Sequence, residues 1–556
     1  MSWRDKSQIQ IDPDKTGETR DARAGVTLGA YHRHIMATST LSEFISHLES
    51  SNELTRVRAS VSPVLEIAEI SDRVMKSPAP HGHNERDKNP AAALGGKALL
   101  FENVQGSDIP VAINTFGSYW RICQALGTPS LDELADKVQQ LIKPDIPTGI
   151  MEKMRKGMDF LKLATIPPKS VRSGICQQVV YEGDRADLTR LPIIQCRPLD
   201  GDLRSDQVYD KAAALQAAGV QTGTGRYITL AGIYTRNPES THRNIGMYRV
   251  QMHGPRLAAM HWHLHHDGAK HFRAWKARGE KMPLAVVLGG ESVLPYAATA
   301  PLPPNVSELL FAGFLNGGGI ELVKCKTIDL EVPANAEIVI EGYVDPDQTL
   351  MEGPFGDHTG FYSLADRYPA FHVTAITTRK SPIYPTTIVG KPPMEDYFLG
   401  KATERVFLPL LKMLVPDIVD YSLPISGAFH NCAFIKIKKE YAQQARRVMH
   451  AIWGAGQMSL TKFIVVVDDH VDVHDEQAVL FHLFANCDPL RDVEIVKGPL
   501  DILDHASIEL GWGGKIGFDA TVKLPSEGKV RPWPVELEMS KSVKELVDKR
   551  WREYGI

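Results

Sequence analysis

Ala336-Glu-Ile-Val-Ile-Glu-Gly-Tyr-Val344 is a β-branched run interrupted by a single glycine. Runs of the same texture recur from Gln177 onward, among them Gln178–Tyr181, Tyr227–Thr235, Ile245–Met252, Leu284–Leu288, Ile320–Lys324 and Ala370–Thr378. Gly, Pro and Asn punctuate them, and few helical stretches intervene. Several short strands at this spacing predict a barrel-like or sandwich domain. Gly201–Gly223 breaks the pattern, charged at first and then rich in Ala and Gln, and reads as a surface insertion or lid.

The flanks read differently. Thr40 and Glu43 form a capping box ahead of Leu41, Phe44, Ile45 and Leu48, which share one helical face. Leu54–Val61, Lys97–Glu102 and Ile109–Asn114 read as strands and Asp132–Ile142 as a helix, so this region predicts a small α/β unit. After Pro382 helices and strands alternate (Thr403–Met413, Ala433–Ile437, Tyr441–Trp453, Phe463–Asp468, Glu476–Ala485), implying parallel βαβ units. The expected class is multidomain α/β (α+β). Its parts are a disordered extension over 1–39, an α/β domain over 40–160 and the central β domain over 161–380 with the insertion at 201–223. A second α/β domain over 381–530 and a terminal helical segment over 531–556, for packing or oligomerisation, complete it.

Composition narrows the function. A chain of 556 residues exceeds one compact core. The net charge of −4 gives no electrostatic footprint for nucleic acid or an anionic membrane. Six cysteines without a CxxC pair argue against a disulfide framework or a cysteine-built zinc site. No apolar run approaches the roughly 18–20 residues that cross a bilayer, and Met1–Ala37 lacks the apolar core of a secretory signal. A cytoplasmic protein acting on a small molecule is expected.

Four segments carry candidate chemistry. In Met351-Glu-Gly-Pro-Phe-Gly-Asp-His-Thr-Gly360, Gly and Pro force a turn that brings Glu352 and Asp357 together. Burial and like charge would push one of the two carboxyls upward into use as a general acid, while a solvated acidic turn is the plain alternative. In Asn244-Ile-Gly-Met-Tyr-Arg249 a strand would place Asn244, Gly246 and Tyr248 on one face and Ile245, Met247 and Arg249 on the other. Arg249 would then need an anionic partner, and a cross-strand salt bridge would serve. His261-Trp-His-Leu-His-His266 concentrates four imidazoles, suiting metal or phosphate, or simply a histidine-rich surface. Glu308 follows Val306-Ser307 at the start of an apolar helix, where the helix dipole alone accounts for it.

Together these segments resemble the UbiD family of reversible non-oxidative decarboxylases, in particular its 4-hydroxy-3-polyprenylbenzoate branch. The resemblance runs from about residue 40 to the C-terminus. It is carried also by Ala98-Leu-Leu-Phe-Glu-Asn103, Leu191-Pro-Ile-Ile-Gln-Cys196, Glu321-Leu-Val-Lys-Cys325, Val332–Gly342 and Thr461–Asp469. It implies that the central domain is a split β-barrel related to flavin reductases, holding prenylated FMN. It implies a divalent ion, Mn²⁺, on Asn244, His265 and Glu308, with K⁺ a further candidate. Arg249, Glu352 and Asp357 match the catalytic positions, with Asp357 the proton donor and Glu352 its partner through Arg249. Met247, Tyr248, His261, Trp262, His263 and His266 would line the flavin with Arg249, and Lys462 would reach the phosphate. The substrate would be an aromatic or α,β-unsaturated carboxylic acid, a 4-hydroxy-3-polyprenylbenzoate of quinone biosynthesis leading and another aromatic acid the alternative, and the cofactor would come from a flavin prenyltransferase. A homo-oligomer, dimer or hexamer, is implied, with peripheral membrane contact if the substrate is polyprenylated. A flavin-dependent oxidoreductase on the same barrel is the competing reading. Residues 1–39 and the long connection Arg197–Thr224 depart from the family pattern.

Overall fold

The computed structural model describes residues 36–82, 86–142, 165–203, 223–240, 242–263, 266–303, 306–528 and 531–556. Residues 36–39, expected in the extension, are tied to the core: Thr38 donates its amide to Ser292 Oγ at 3.0 Å, and its carbonyl accepts from the Ser292 amide. The rest of that extension, and 204–222 of the expected insertion, lie outside the described residues.

Helix Leu41–Ser50 is capped by the Thr40 hydroxyl and buries Leu41, Phe44, Ile45 and Leu48. The Glu43 carboxylate turns back to the amide of Ser39 rather than Thr40. The helix belongs to a four-stranded sheet of Leu54–Val61, Ala98–Val104, Val111–Ile113 and Tyr384–Thr386. The last strand comes from beyond the central domain and lies parallel to Val111–Ile113.

The centre is a nine-stranded antiparallel sheet. Its spine is the long pair Ile338–Glu352 and Asp366–Thr378. Register shifts at Glu341/Gly342 and Asp345/Thr349 bend that pair, as bulges do. The strand order runs Tyr227–Ile228, Val250–Gly254, Leu257–Met260, Asp366–Thr378, Ile338–Glu352, Met282–Leu288, Gly232–Arg236 and Arg243–Met247, with Val179–Glu182 beside Asp366–Thr378. The sheet is therefore an open, curled half-barrel. The runs Tyr227–Thr235 and Ile245–Met252, each expected as one strand, are broken into two, because each spans a jump from one side of the sheet to the other.

Beyond the centre, the 20-residue helix Glu395–Leu414 packs on helix Leu131–Ile142. A five-stranded sheet follows, in the order Ile418–Ser422, Cys432–Ile437, Phe463–Asp468, Trp512–Asp519, Val493–Pro499. Its three inner strands are parallel. Ile435 and Val466 meet Val448 of helix Gln444–Trp453, while Phe434 and Val465 cluster with Val479 of helix Glu476–Asn486. Helices thus cover both faces, as parallel strands require. Helix Lys541–Arg550 buries none of its residues, so it does not pack on its own core. Among the described residues no helix is long and apolar enough to cross a membrane.

Candidate active site

The chain passes from one end of the strand order, Arg243–Met247, to near the other, Val250–Gly254, through only Tyr248 and Arg249. Arg249 therefore sits where the curled sheet brings its edges together, and not on the strand face that alternation predicted. It is 9% exposed. Its Nε donates to Glu352 Oε1 at 2.7 Å and its Nη2 to Glu352 Oε2 at 3.1 Å. Nη1 reaches Asp357 Oδ2 at 2.5 Å, and Nη2 also donates to Ser363 Oγ at 3.0 Å. The Phe355 ring lies 4.7 Å from the guanidinium carbon.

The acidic loop is built to present those two carboxylates. Glu352 closes the long strand and is fully buried. Gly353 turns the chain at φ +90°, a conformation that favours glycine, and donates its amide to Gln251 Oε1. Phe355–Gly356 then pairs with Tyr362–Ser363 in a two-rung ladder. A Cβ on Gly356 would stand 2.4 Å from Arg197 Cγ, so the close approach also demands glycine. The Gly356 amide donates to Asp200 Oδ1 at 2.8 Å, and burial pushes the Asp200 carboxyl up to about 7.

The electrostatics invert the expectation from the turn alone. Burial by itself would raise both carboxyls, but Arg249 and His261 outweigh it at Glu352 and hold it at about 2. At Asp357 burial is overcome by His358 and Arg249, leaving the group well below the usual carboxylate range. The cation between the acids removes the repulsion that would have raised one of them. His358 carries the proton instead. Burial would lower it, yet its Nδ1 lies 2.9 Å from Asp357 Oδ1, and that partner raises it to about 9. His358 Nε2 meets His430 Nε2 at 2.7 Å. His430, lowered by burial and the His358 cation to about 4, is neutral and accepts.

The histidine segment follows strand Leu257–Met260 rather than extending it. His261 Nδ1 lies 2.8 Å from Glu352 Oε2, its Nε2 lies 3.1 Å from His263 Nε2, and its ring stacks on Tyr368 at 4.2 Å. His263 stacks on His266, which stacks on Tyr248, whose ring meets Trp262 edge-on. Met247 is half-buried, with its amide donating to the Ala298 carbonyl. Gly246 makes room for the Tyr248 ring: a Cβ there would lie 2.2 Å from it.

Asn244 and Glu308 come together. Glu308, first residue of helix Glu308–Asn316, accepts the Ile245 amide at 3.1 Å. Its carboxyl is buried, raised to about 7 by that burial, and makes no ion pair among the described residues. The buried Asn244 side-chain nitrogen makes no hydrogen bond among them. A buried acid and an unsatisfied amide side by side fit a bound cation and its anionic partner. His265 lies outside the described residues. Lys462 precedes strand Phe463–Asp468, its amide donating to the Asn431 carbonyl beside His430 and its ammonium 2.6 Å from Asp504 Oδ2.

Ser363, Asp200 and His430 were not foreseen. The sequence carries no signal for His430, which reaches His358 from the loop after a left-handed Ala428–Phe429 turn.

The comparisons with known proteins agree along the chain. Residues 45–139, 169–392 and 397–520 match the N-terminal, Rift-related and C-terminal domains of 3-octaprenyl-4-hydroxybenzoate carboxy-lyase. Fold and site thus define an enzyme of the carboxy-lyase class. The chain belongs to the UbiD family. It is 48% identical over 519 residues to an uncharacterized protein of Aquifex aeolicus, covering 93% of this chain and 98% of that one. The UbiD-class enzyme HmfF from Pelotomaculum thermopropionicum, in complex with FMN, is 28% identical with a TM-score of 0.69, covering 92% of this chain and 99% of that one. An evolved dimeric form of HmfF in complex with prFMN is 26% identical at the same TM-score, covering 92% and 100%. The closed form of vanillic acid decarboxylase from Sedimentibacter hydroxybenzoicus shares the fold, with a TM-score of 0.74 at 24% identity over 93% of this chain and 99% of that one.

Proposed function

We propose that the chain decarboxylates an aromatic or α,β-unsaturated carboxylic acid, working with prenylated FMN and a divalent ion, Mn²⁺. The observation that carries this reading is Arg249 shared between the buried carboxylates Glu352 and Asp357 at the edge of the half-barrel. Support for the cofactor comes from the FMN and prFMN bound in HmfF and from the histidine and aromatic side chains beside Arg249. Met247, Tyr248, His261, Trp262, His263 and His266 would line it, on a half-barrel of the flavin-reductase kind. Asn244 and Glu308, with His265, would hold the ion, and K⁺ could join it. Lys462, now paired with Asp504, would reach the phosphate.

Prenylated FMN, when bound, would supply the electron sink for breaking the bond to carbon dioxide. The protein's part is orientation and proton supply. Glu352 grips Arg249 by two nitrogens and stays ionised, fixing the plane of the guanidinium. It also orients His261 through Nδ1. Nη1 is the arm that meets Asp357, and the anion of a substrate carboxylate competes for it. Once the substrate carboxylate takes the Nη1 hydrogen bond and offsets the guanidinium charge, Asp357 is held less firmly as an anion and the proton on His358 Nδ1 passes to Asp357 Oδ1. Asp357 then delivers the proton to the substrate carbon that has lost carbon dioxide.

The leading substrate is a 4-hydroxy-3-polyprenylbenzoate of quinone biosynthesis, and a cytoplasmic homo-oligomer would carry out the reaction. Smaller phenolic acids are the alternative within the family. The test is to purify the protein from cells that also express a flavin prenyltransferase, identify the bound flavin by mass spectrometry, and measure CO₂ release from both acid types. Prenylated FMN with CO₂ release is the expected result. Ordinary FMN, with reduction by a nicotinamide donor and no CO₂, would instead establish the oxidoreductase.

A further inference from the structure

We propose that His470, His482 and Glu536 form a second metal site, for a borderline divalent ion such as Zn²⁺, that clasps the C-terminal tail to the C-terminal sheet. The three residues come from separate places. His470 lies just past strand Phe463–Asp468, His482 on helix Glu476–Asn486, and Glu536 on the tail that precedes helix Lys541–Arg550. One ligand atom of each lies within 4.8 Å of the others, and this is the only such group of three among the described residues.

The hydrogen bonding argues for a cation between them. His482 Nδ1 lies 2.8 Å from the Ala478 carbonyl, which can only accept, so Nδ1 bears the hydrogen. In the neutral ring Nε2 is then a bare lone pair. It points at Glu536 Oε2 from 3.2 Å, and that oxygen can only accept too. His470 Nε2 approaches the same oxygen at 3.4 Å. His482 Nε2 and Glu536 Oε2 are thus two acceptors facing each other, which repel unless a positive charge joins them, and His470 Nε2 stands beside them as a third ligand atom.

The spacing suits a metal. Bonds of about 2.0–2.1 Å from tetrahedral zinc to imidazole or carboxylate put neighbouring ligand atoms roughly 3.3 Å apart. The two contacts to Glu536 already match, and His470, half-exposed, is free to close the remaining edge. The Ala478 carbonyl supplies the outer hydrogen bond that fixes a ligating histidine in its metal-binding tautomer. Two imidazoles and a carboxylate favour Zn²⁺ or Co²⁺ over Mg²⁺ or Ca²⁺.

The tail has little else to hold it. Val535, Leu537 and Met539 are 92%, 100% and 60% exposed. A metal at Glu536 would therefore decide whether residues 531–540 stay on this sheet.

The experiment uses full-length protein stripped with a chelator and then titrated with Zn²⁺ alone or Co²⁺ alone. Hydrogen exchange of residues 531–540 is followed in wild type, His470→Ala, Glu536→Gln and the active-site variant Glu308→Gln. Exchange should slow about 10-fold or more on Zn²⁺ addition in wild type and Glu308→Gln, and remain unchanged in His470→Ala and Glu536→Gln. Co²⁺ should give the intense visible bands of a tetrahedral site in the first pair only. His470 and Glu536 are exposed, so their replacement leaves the fold intact. Exchange that ignores Zn²⁺, or that responds equally in all four proteins, would show a plain histidine–carboxylate contact and overturn the proposal.

Discussion

Arg249 grips Glu352 side-on, Nε to Oε1 at 2.7 Å and Nη2 to Oε2 at 3.1 Å, and so leaves Nη1 alone to meet Asp357. The two acids consequently have different duties. Glu352 is an anchor bound by two hydrogen bonds to a charged partner, whereas Asp357 is held by one arm of Arg249 on one side and by His358 on the other. That asymmetry generates the following expectations.

Asp357→Asn keeps the shape of the loop but removes the group that would carry the proton. General acid catalysis contributes about 10²–10⁴-fold, so CO₂ release should fall at least 100-fold, with a drop in thermal melting as well because Arg249 and His358 lose a charged partner. Turnover within a few-fold of wild type would remove Asp357 from its role.

Arg249→Ala leaves Glu352 fully buried without its main cation. Breaking a buried pair from one side costs about 3–5 kcal/mol. Melting should drop by several degrees, and adding Glu352→Gln should restore part of the loss. If the double variant is no more stable than Arg249→Ala, the charge imbalance is not the cause.

His358 makes a pH-dependent contribution. Its value in the folded protein lies near 9, above the ordinary 6.5. The stability it adds is therefore complete below about pH 6.5 and disappears as pH rises through about 9. Melting curves of wild type and His358→Gln should be separated in mildly acidic buffer and converge above pH 9. A gap that stays constant over that window would contradict the assignment.

Gly246→Ala pushes a methyl to 2.2 Å from the Tyr248 ring. Overpacking of this kind costs about 1–3 kcal/mol, and Tyr248 must leave its stack on His266. Flavin retained after purification should fall roughly 10-fold while the far-UV spectrum is unchanged. Full retention would place Tyr248 outside the cofactor site.

Much of the protein was legible in its residues. β-branched runs broken by Gly and Pro announce a strand-rich centre, because that texture suits half-buried pleated strands and little else. Alternating helices and strands after Pro382 announce a parallel sheet covered on both faces. The segments containing Arg249, Glu352, Asp357, Asn244 and Glu308 pointed to the UbiD family through order and spacing along the chain. These are local properties and family likeness, which a linear text can hold.

Only the tertiary structure decided how those residues meet. The two-residue passage through Tyr248–Arg249 between opposite sides of the sheet breaks what reads as one strand, since strand order is set by pairing over long distances. Insertion of Arg249 between Glu352 and Asp357 lowers both carboxyls, where the turn alone predicted that one would rise. His358 becomes the proton holder because it is folded against Asp357, with Asp396 and Asp501 from distant segments adding to the pull. Charge effects in a buried site depend on distances of a few ångströms, and those distances are set by the folded chain rather than by neighbours in sequence.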